Sequence, residues 1–284
     1  SDYYIIVFGV DPANNYEACS DVSKTKFTTL AFEKLDVTFE VETTVDGNTA
    51  EFAVTPSDNE VIWYFYTIPT GTFDLYQSPD AYGMSLDQFF LYCLEQQINQ
   101  LRGAGYDDNT ILNAIFHKGA LTLQAKDLTA NTEYTNMVAG FVIDESGVIT
   151  LASDVATSTY TTGDAKAADL TFEVSVTDVD VDRAAIKITP SDDKQSFCWM
   201  VGAWDGAKTA EEIMNEIVAM YGAWMNSGMM LYYGVQDYTG GPGSPYKYKL
   251  DAPDTDYYVV AFGYAGGVTT APVMETFHTL PAPD

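Results

Sequence analysis

TDYYVVAFGY, residues 255–264, recurs twice in the chain, as SDYYIIVFGV at residues 1–10 and as TEYTNMVAGF at residues 132–141. The copies align without gaps on an acidic residue, then Tyr3, Tyr134 or Tyr257, then Gly9, Gly140 or Gly263. The tyrosines lie roughly one domain length apart, ~100–150 residues. Such self-similarity decides the architecture: the chain is an array of one repeated unit.

Working outward, two further landmarks recur in the same order. TFEV at 38–41 leads to Thr55-Pro56-Ser57-Asp58, and TFEV at 171–174 leads to Thr189-Pro190-Ser191-Asp192. Trp63 and Phe65 then match Phe197 and Trp199 at equal offsets from the proline. Aromatics at alternate positions are what a half-buried strand needs, because its side chains point to opposite faces in turn. The last landmark is a helix start. Ser85-Leu-Asp-Gln88 and Thr209-Ala-Glu-Glu212 fit the capping box, in which a hydroxyl and a Gln or Glu three residues on satisfy orphan backbone donors. Aligned on these caps, Phe89, Phe90, Cys93, Leu94 and Leu101 face Ile213, Met214, Ile217, Val218 and Met225, an apolar stripe on each helix. The first copy adds a predicted helix over 109–118, closed by Gly119 and ending in a capping His117. The second has instead an aromatic- and glycine-rich stretch, 228–245, read as a loop or short strand.

Each complete copy contains predicted strands at 36–44 and 49–55 (169–177 and 183–189), at 60–67 (196–203), at 120–126 (246–250), and a last pair at 133–143 and 153–162 (256–264 and 269–279). Many short strands with turns between them read as a sandwich. The stretch Leu128-Thr-Ala-Asn-Thr132-Glu-Tyr134, matched by Leu250 through Tyr257, resembles the tyrosine corner of fibronectin type III domains. The fold class expected is therefore mainly β with helical insertions, in tandem fibronectin type III-like (Ig-like) sandwiches. The chain departs from that family in lacking the usual second-strand tryptophan, near Phe52 and Ile186. The expected organisation is a C-terminal strand pair of a truncated first repeat at 1–30, a sandwich at 31–163 with an insertion at 72–119, and a sandwich at 164–284 with an insertion at 204–245. A lone hairpin is marginal in water, so the strand pair at 1–30 is expected to need partners, either a preceding domain of a longer array, the favoured reading, or another surface.

Composition narrows function by exclusion. Hydrophobic residues make up 46% and charged residues 19% of the chain, and the net charge is −28. That field repels phosphate backbones, so nucleic acid is not an expected partner. No apolar run approaches the ~20 residues that span a bilayer, so this segment is not expected to insert into a membrane. Cys19, Cys93 and Cys198 fit neither a disulfide framework nor a zinc site. His117 and His278 stand in no metal-ligand spacing, His278 reading as a strand-edge residue. Nucleophile-elbow, zinc-protease and phosphate-loop signatures are missing, so no catalytic residue, cofactor or enzyme activity is expected. Asp178, Asp180 and Asp182 are a calcium candidate, outranked by a solvated turn because the loop lacks the glycine and distal glutamate of an EF-hand.

Aromatics carry the remaining functional signal. Trp204, Trp224, Tyr232, Tyr233 and Tyr238 surround the second insertion, as Tyr64, Tyr66, Tyr76, Tyr82 and Tyr92 surround the first. Rings with polar tips suit sugar stacking and protein interfaces, and they equally suit the roof of a sandwich core. Tandem fibronectin-like modules with insertions resemble the repeat regions of bacterial surface and secreted lipoproteins. That resemblance implies a non-catalytic module at the bacterial cell surface, for adhesion or ligand presentation, with a glycan or a host or bacterial surface protein as partner and neighbouring repeats of the same chain beside it. A structural spacer array and an accessory domain of a glycan-processing enzyme are the alternatives.

Overall fold

The computed structural model describes residues 2–28, 34–145, 147–241 and 246–283. A hairpin comes first: β1 (Asp2–Val7), β2 (Val10–Asp11), β3 (Glu17–Ala18) and β4 (Ser23–Thr28). Next come β5 (Phe39–Asp46), β6 (Thr49–Pro56) and β7 (Ile62–Pro69), then α1 (Thr70–Gln77), α2 (Leu86–Gly103) and α3 (Asp108–Ile115). β8 (His117–Lys118), β9 (Leu121–Ala125), β10 (Glu133–Ile143), β11 (Ile149–Leu151) and β12 (Ala156–Thr161) complete that set. The remainder is β13 (Phe172–Thr177), β14 (Arg183–Pro190), β15 (Phe197–Ala203), α4 (Ala210–Asn226), β16 (Gln236–Tyr238), β17 (Tyr248–Lys249), β18 (Asp256–Gly263) and β19 (Val273–His278).

Both sandwiches share one strand order. In the first, the sheet β5-β6-β9 faces the sheet β8-β7-β10, with β11 and β12 on the far edge of β10. In the second, β13-β14 with β16 and β17 faces β15-β18-β19. Three strands opposed to a sheet whose middle strand is the sixth is the fibronectin type III arrangement, here with helices inserted after the third strand.

The repeated sequence landmarks have local causes. Thr38 and Ser57 exchange hydrogen bonds, Thr38 N to Ser57 Oγ at 2.9 Å and Ser57 N to Thr38 O at 2.8 Å. Thr171 and Ser191 do the same, at 3.0 Å and 2.9 Å, so TFEV and TPS face each other at the open end of one strand pairing. The aspartate that follows accepts a bond two residues on, from Glu60 N to Asp58 and from Lys194 N to Asp192, each at 2.9 Å. The tyrosine corner forms in both units: Tyr134 Oη accepts from Thr129 N at 2.8 Å, and Tyr257 Oη from Ala252 N at 2.9 Å. The repeated glycine is a matter of room. A Cβ on Gly140 would lie 2.8 Å from Val61 Cγ1, and its N–H donates to Ser153 Oγ at 2.8 Å. Gly263 N likewise donates to Thr270 Oγ1 at 2.9 Å.

The sixth strand is buried on both faces, which explains its near-continuous apolar run. Tyr134 and Val138 join Phe52, Val54 and Trp63 between the sheets, while Met137, Ala139 and Phe141 meet Phe89, Phe90 and Leu94 under the helices. In the second sandwich Val259 and Ala261 pack with Ile186, Ile188 and Phe197, and Val260 and Phe262 meet Ile213, Met214 and Ile217. Each buried Val, Leu, Ile, Phe or Met among them contributes about 1.5–3 kcal/mol relative to exposure. Both capping boxes form: Ser85 N donates to Gln88 Oε1 at 2.9 Å, and Thr209 N to Glu212 Oε2 at 2.8 Å.

The helix read over 109–118 is shorter. It stops at Ile115, and Phe116 turns extended (φ −100, ψ 139). His117–Lys118 then pair with Ile62 and Trp63 as β8. Extension lets Phe116 bury with Phe141, at 5.3 Å between ring centroids. His117 is therefore not a helix cap; its ring sits 4.9 Å from Trp63, and burial lowers its pKa. Helix α1 was not legible in the sequence. Pro69 precedes it without a side-chain cap, and it is held by packing, Phe73 and Tyr76 lying 5.9 and 4.9 Å from Phe89. The linker expected at 30–35 falls largely outside the described residues, as do 242–245 of the second insertion.

At the hairpin, Tyr3 stacks on Phe27 (5.5 Å, 21°) as Tyr134 does on Tyr160 (5.5 Å, 18°) and Tyr257 on Phe277 (5.7 Å, 20°). Gly9 N donates to Ser20 Oγ at 2.6 Å, the same clamp as at Gly140 and Gly263. Unlike its counterparts, this strand is left uncovered among the described residues: Tyr3, Tyr4, Ile5, Ile6, Val7 and Phe8 are all exposed.

Between the sandwiches the buried Asn48, in the β5–β6 turn, donates to Leu128 O at 3.0 Å and Ala265 O at 2.7 Å. Its Oδ1 accepts from Lys166 N at 3.3 Å. Ala130 N donates to Gly266 O at 2.8 Å. Gly266 has φ +67, and a Cβ there would collide with Leu128 O, so this contact requires glycine.

Candidate binding surface of the second insertion

Helix α4 buries Ile213, Met214, Ile217 and Met225 against β18. The flank of that face carries Met220 and Trp224, four residues apart and so neighbours, exposed by 70% and 56%. Tyr221 lies 6.1 Å from Trp224. The helix closes on Ser227 N and Met229 N, which donate to Trp224 O at 3.1 and 3.0 Å, with Gly228 at φ +83. Met229 is exposed.

The chain then bridges to β15: Tyr232 N donates to Phe197 O at 2.8 Å and Phe197 N to Tyr232 O at 3.0 Å. Extended backbone sends successive side chains to opposite sides, so Tyr232 and Tyr233 part company. Tyr232 turns in, 5.8 Å from Trp199, and burial beside Tyr238 raises its pKa. Tyr233 turns out, 59% exposed. Gln236 Nε2 donates to Tyr233 O at 3.1 Å and fixes that backbone. Tyr238, on β16, lies 5.3 Å from Trp199 and 5.7 Å from Tyr248. Trp204 sits before the other end of α4, its Nε1 donating to Lys208 O at 3.1 Å. It is separated from Trp224 by roughly 15–20 Å of helix, at 1.5 Å per residue.

The five aromatics thus divide. Tyr232 and Tyr238 gather around Trp199, Trp204 braces the start of α4, and Trp224 and Tyr233 face solvent. Met220 was missed in the sequence, although its spacing from Trp224 is visible there. In the first insertion, Tyr64 is buried with its hydroxyl donating to Gln97 Oε1 at 2.6 Å, and Tyr76 stacks on Tyr82 at 4.5 Å.

The three aspartates have separate partners. Asp178 pairs with Lys247, Asp182 with Arg183 at 3.6 Å, and Asp180 Oδ1 accepts from Val181 N at 2.8 Å. Among the described residues, no three His, Cys, Asp or Glu side chains converge as a metal site. No helix among them is long and apolar enough to cross a membrane. Burial pushes the thiols of Cys93 and Cys198 up to about 12.

No family model and no curated protein matches this sequence. Among solved structures, the chain is similar to the FN1-FN3 domains of chicken CNTN1, with 11% identity over 98% of this chain and 77% of that one, at a TM-score of 0.27. So low a score carries no argument about function, and the fold rests on the strand order described above.

Proposed function

We propose that the chain is a non-catalytic extracellular module of a bacterial surface protein, which binds glycan through its second insertion. One observation carries this reading. Charged residues make up 19% of the chain, yet residues 217–236 contain none, and this stretch exposes Met220, Trp224, Met229 and Tyr233. Large apolar side chains left exposed along one uncharged segment mark a candidate interaction site, and aromatic rings offer large contact area at low entropy cost. An array of immobilised glycans, probed with the purified chain and with Trp224→Ala and Tyr233→Ala, tests it. Saturable retention weakened by either substitution supports the reading, and absence of retention refutes it.

A spacer role is the second reading, favoured by the Asn48 bonds to both sandwiches. A junction fixed by buried hydrogen bonds sets the separation of whatever lies at either end.

A further inference from the structure

We propose that the junction of the two sandwiches forms a site for a neutral saccharide, with the Tyr233 ring as its stacking wall. The proposal rests on the glycan reading above and gives it a place and a ligand class. A cleft of about 320 Å³ opens there, lined by Asp127 of the first sandwich, Lys166 of the linker, and Lys194, Gln195, Ser196 and Tyr233 of the second. That volume is at the small end of ligand pockets, ~300–1,000 Å³, and fits one or two sugar rings.

The wall chemistry matches a polyol. Each sugar hydroxyl both donates and accepts, so a site needs both kinds of group. Gln195 spends one amide N–H on Asp192 Oδ2 at 3.0 Å, leaving its second N–H as a donor and its carbonyl oxygen as an acceptor. Ser196 donates to Tyr264 O at 2.6 Å, leaving its oxygen lone pairs. Asp127 accepts, and the exposed Lys194 supplies donors. Tyr233 has no ring partner among the described residues, so a face is free for the C–H side of a sugar.

Charge selects the class. Lys166 is already paired with Asp46. Asp127 offsets Lys194 within the cleft, and the chain as a whole carries −28. An anionic sugar gains no net local attraction and meets a repulsive field, whereas a neutral one meets neither. The cleft is also preorganised, because Asn48 and Gly266 fix the sandwich that supplies Asp127 against the one that supplies Tyr233.

The experiment is calorimetric titration with neutral gluco-, galacto- and manno-tetraoses and with tetragalacturonate, using the whole chain and the exposed-site variants Tyr233→Ala, Lys194→Ala and Trp224→Ala. The expected result is binding of a neutral tetraose, weakened roughly three- to tenfold by Tyr233→Ala and about tenfold or more by Lys194→Ala. Trp224→Ala and tetragalacturonate separate the proposals. Binding lost in Trp224→Ala but kept in the other two, or binding of the uronate alone, overturns the cleft while leaving the glycan reading intact. No binding in calorimetry with retention on the array also overturns the cleft, and no binding in either overturns both.

Discussion

The Asn48 side chain donates to Ala265 O at 2.7 Å across 217 residues of sequence, joining the β5–β6 turn of one sandwich to the β18–β19 loop of the next. The same amide reaches Leu128 O, and its oxygen takes Lys166 N, so one buried residue ties four segments. Asn48→Ala leaves two carbonyls and an amide without that partner, at a cost of about 1–3 kcal/mol. The expected outcome is a lower melting temperature together with a wider distribution of inter-sandwich orientations in small-angle scattering. An unchanged scattering profile would show that other contacts set the angle. Gly266→Ala acts on the same contact through the collision with Leu128 O and should reproduce the loss.

The two histidines titrate in opposite senses. His278 accepts or donates hydrogen bonds to Asp256 at 2.8 Å and Asp254 at 3.1 Å, and these carboxylates, Asp256 first, raise its pKa. Its contribution to stability is fully present below the unfolded value of ~6.5 and is lost as pH rises through the folded value. Burial lowers the pKa of His117, so its neutral form is favoured, and stability is lost as pH falls from ~6.5 through the folded value. Imidazole proton shifts followed by NMR should place the two midpoints on opposite sides of ~6.5. His278→Gln should remove only the loss on the alkaline side.

Much of the fold was legible because its causes are local. TFEV and TPSD face each other at the open end of one hairpin, the capping boxes satisfy donors three residues away, and the tyrosine corner spans five. What could not be read depends on distant partners. Helix α1 exists because Phe73 and Tyr76 meet Phe89, and His117 joins a strand because Phe116 and Trp63 draw it inward. Asn48 and Ala265 leave no pattern at all. At the surface, the division between Tyr232 and Tyr233 follows from alternation along extended backbone, but only once that segment is known to bridge to Phe197.

The cysteines give a check on packing. Cys19 is exposed, whereas Cys93 and Cys198 are buried beneath the helices of their units. Thiolate is the reactive species, and burial holds both of these thiols at about 12. A thiol-reactive disulfide reagent at neutral pH should therefore label one cysteine per native chain and three in denaturant. Rapid labelling of a second in the native state would mean that a helix lifts off its sheet.

The hairpin at residues 2–28 has the ring stack and the glycine clamp of a finished sandwich, but among the described residues nothing covers it. β1 exposes Tyr3, Ile5 and Val7 on one face and Tyr4 and Ile6 on the other, with Phe8 exposed just beyond it. Their counterparts in β18, Tyr257, Val259 and Ala261 against Tyr258, Val260 and Phe262, meet the opposing sheet and the helix. The edge of β1 away from β4 is unpaired as well, where β10 and β18 meet β7 and β15. An uncovered apolar strand with an open edge promotes association. The chain should therefore self-associate with rising concentration in sedimentation velocity and bind a hydrophobic dye. Removing residues 1–28 should abolish both while leaving the melting of the two sandwiches where it was, since among the described residues none of the hairpin joins their cores. A drop in melting temperature on removal would place the hairpin against the first sandwich and contradict its exposure.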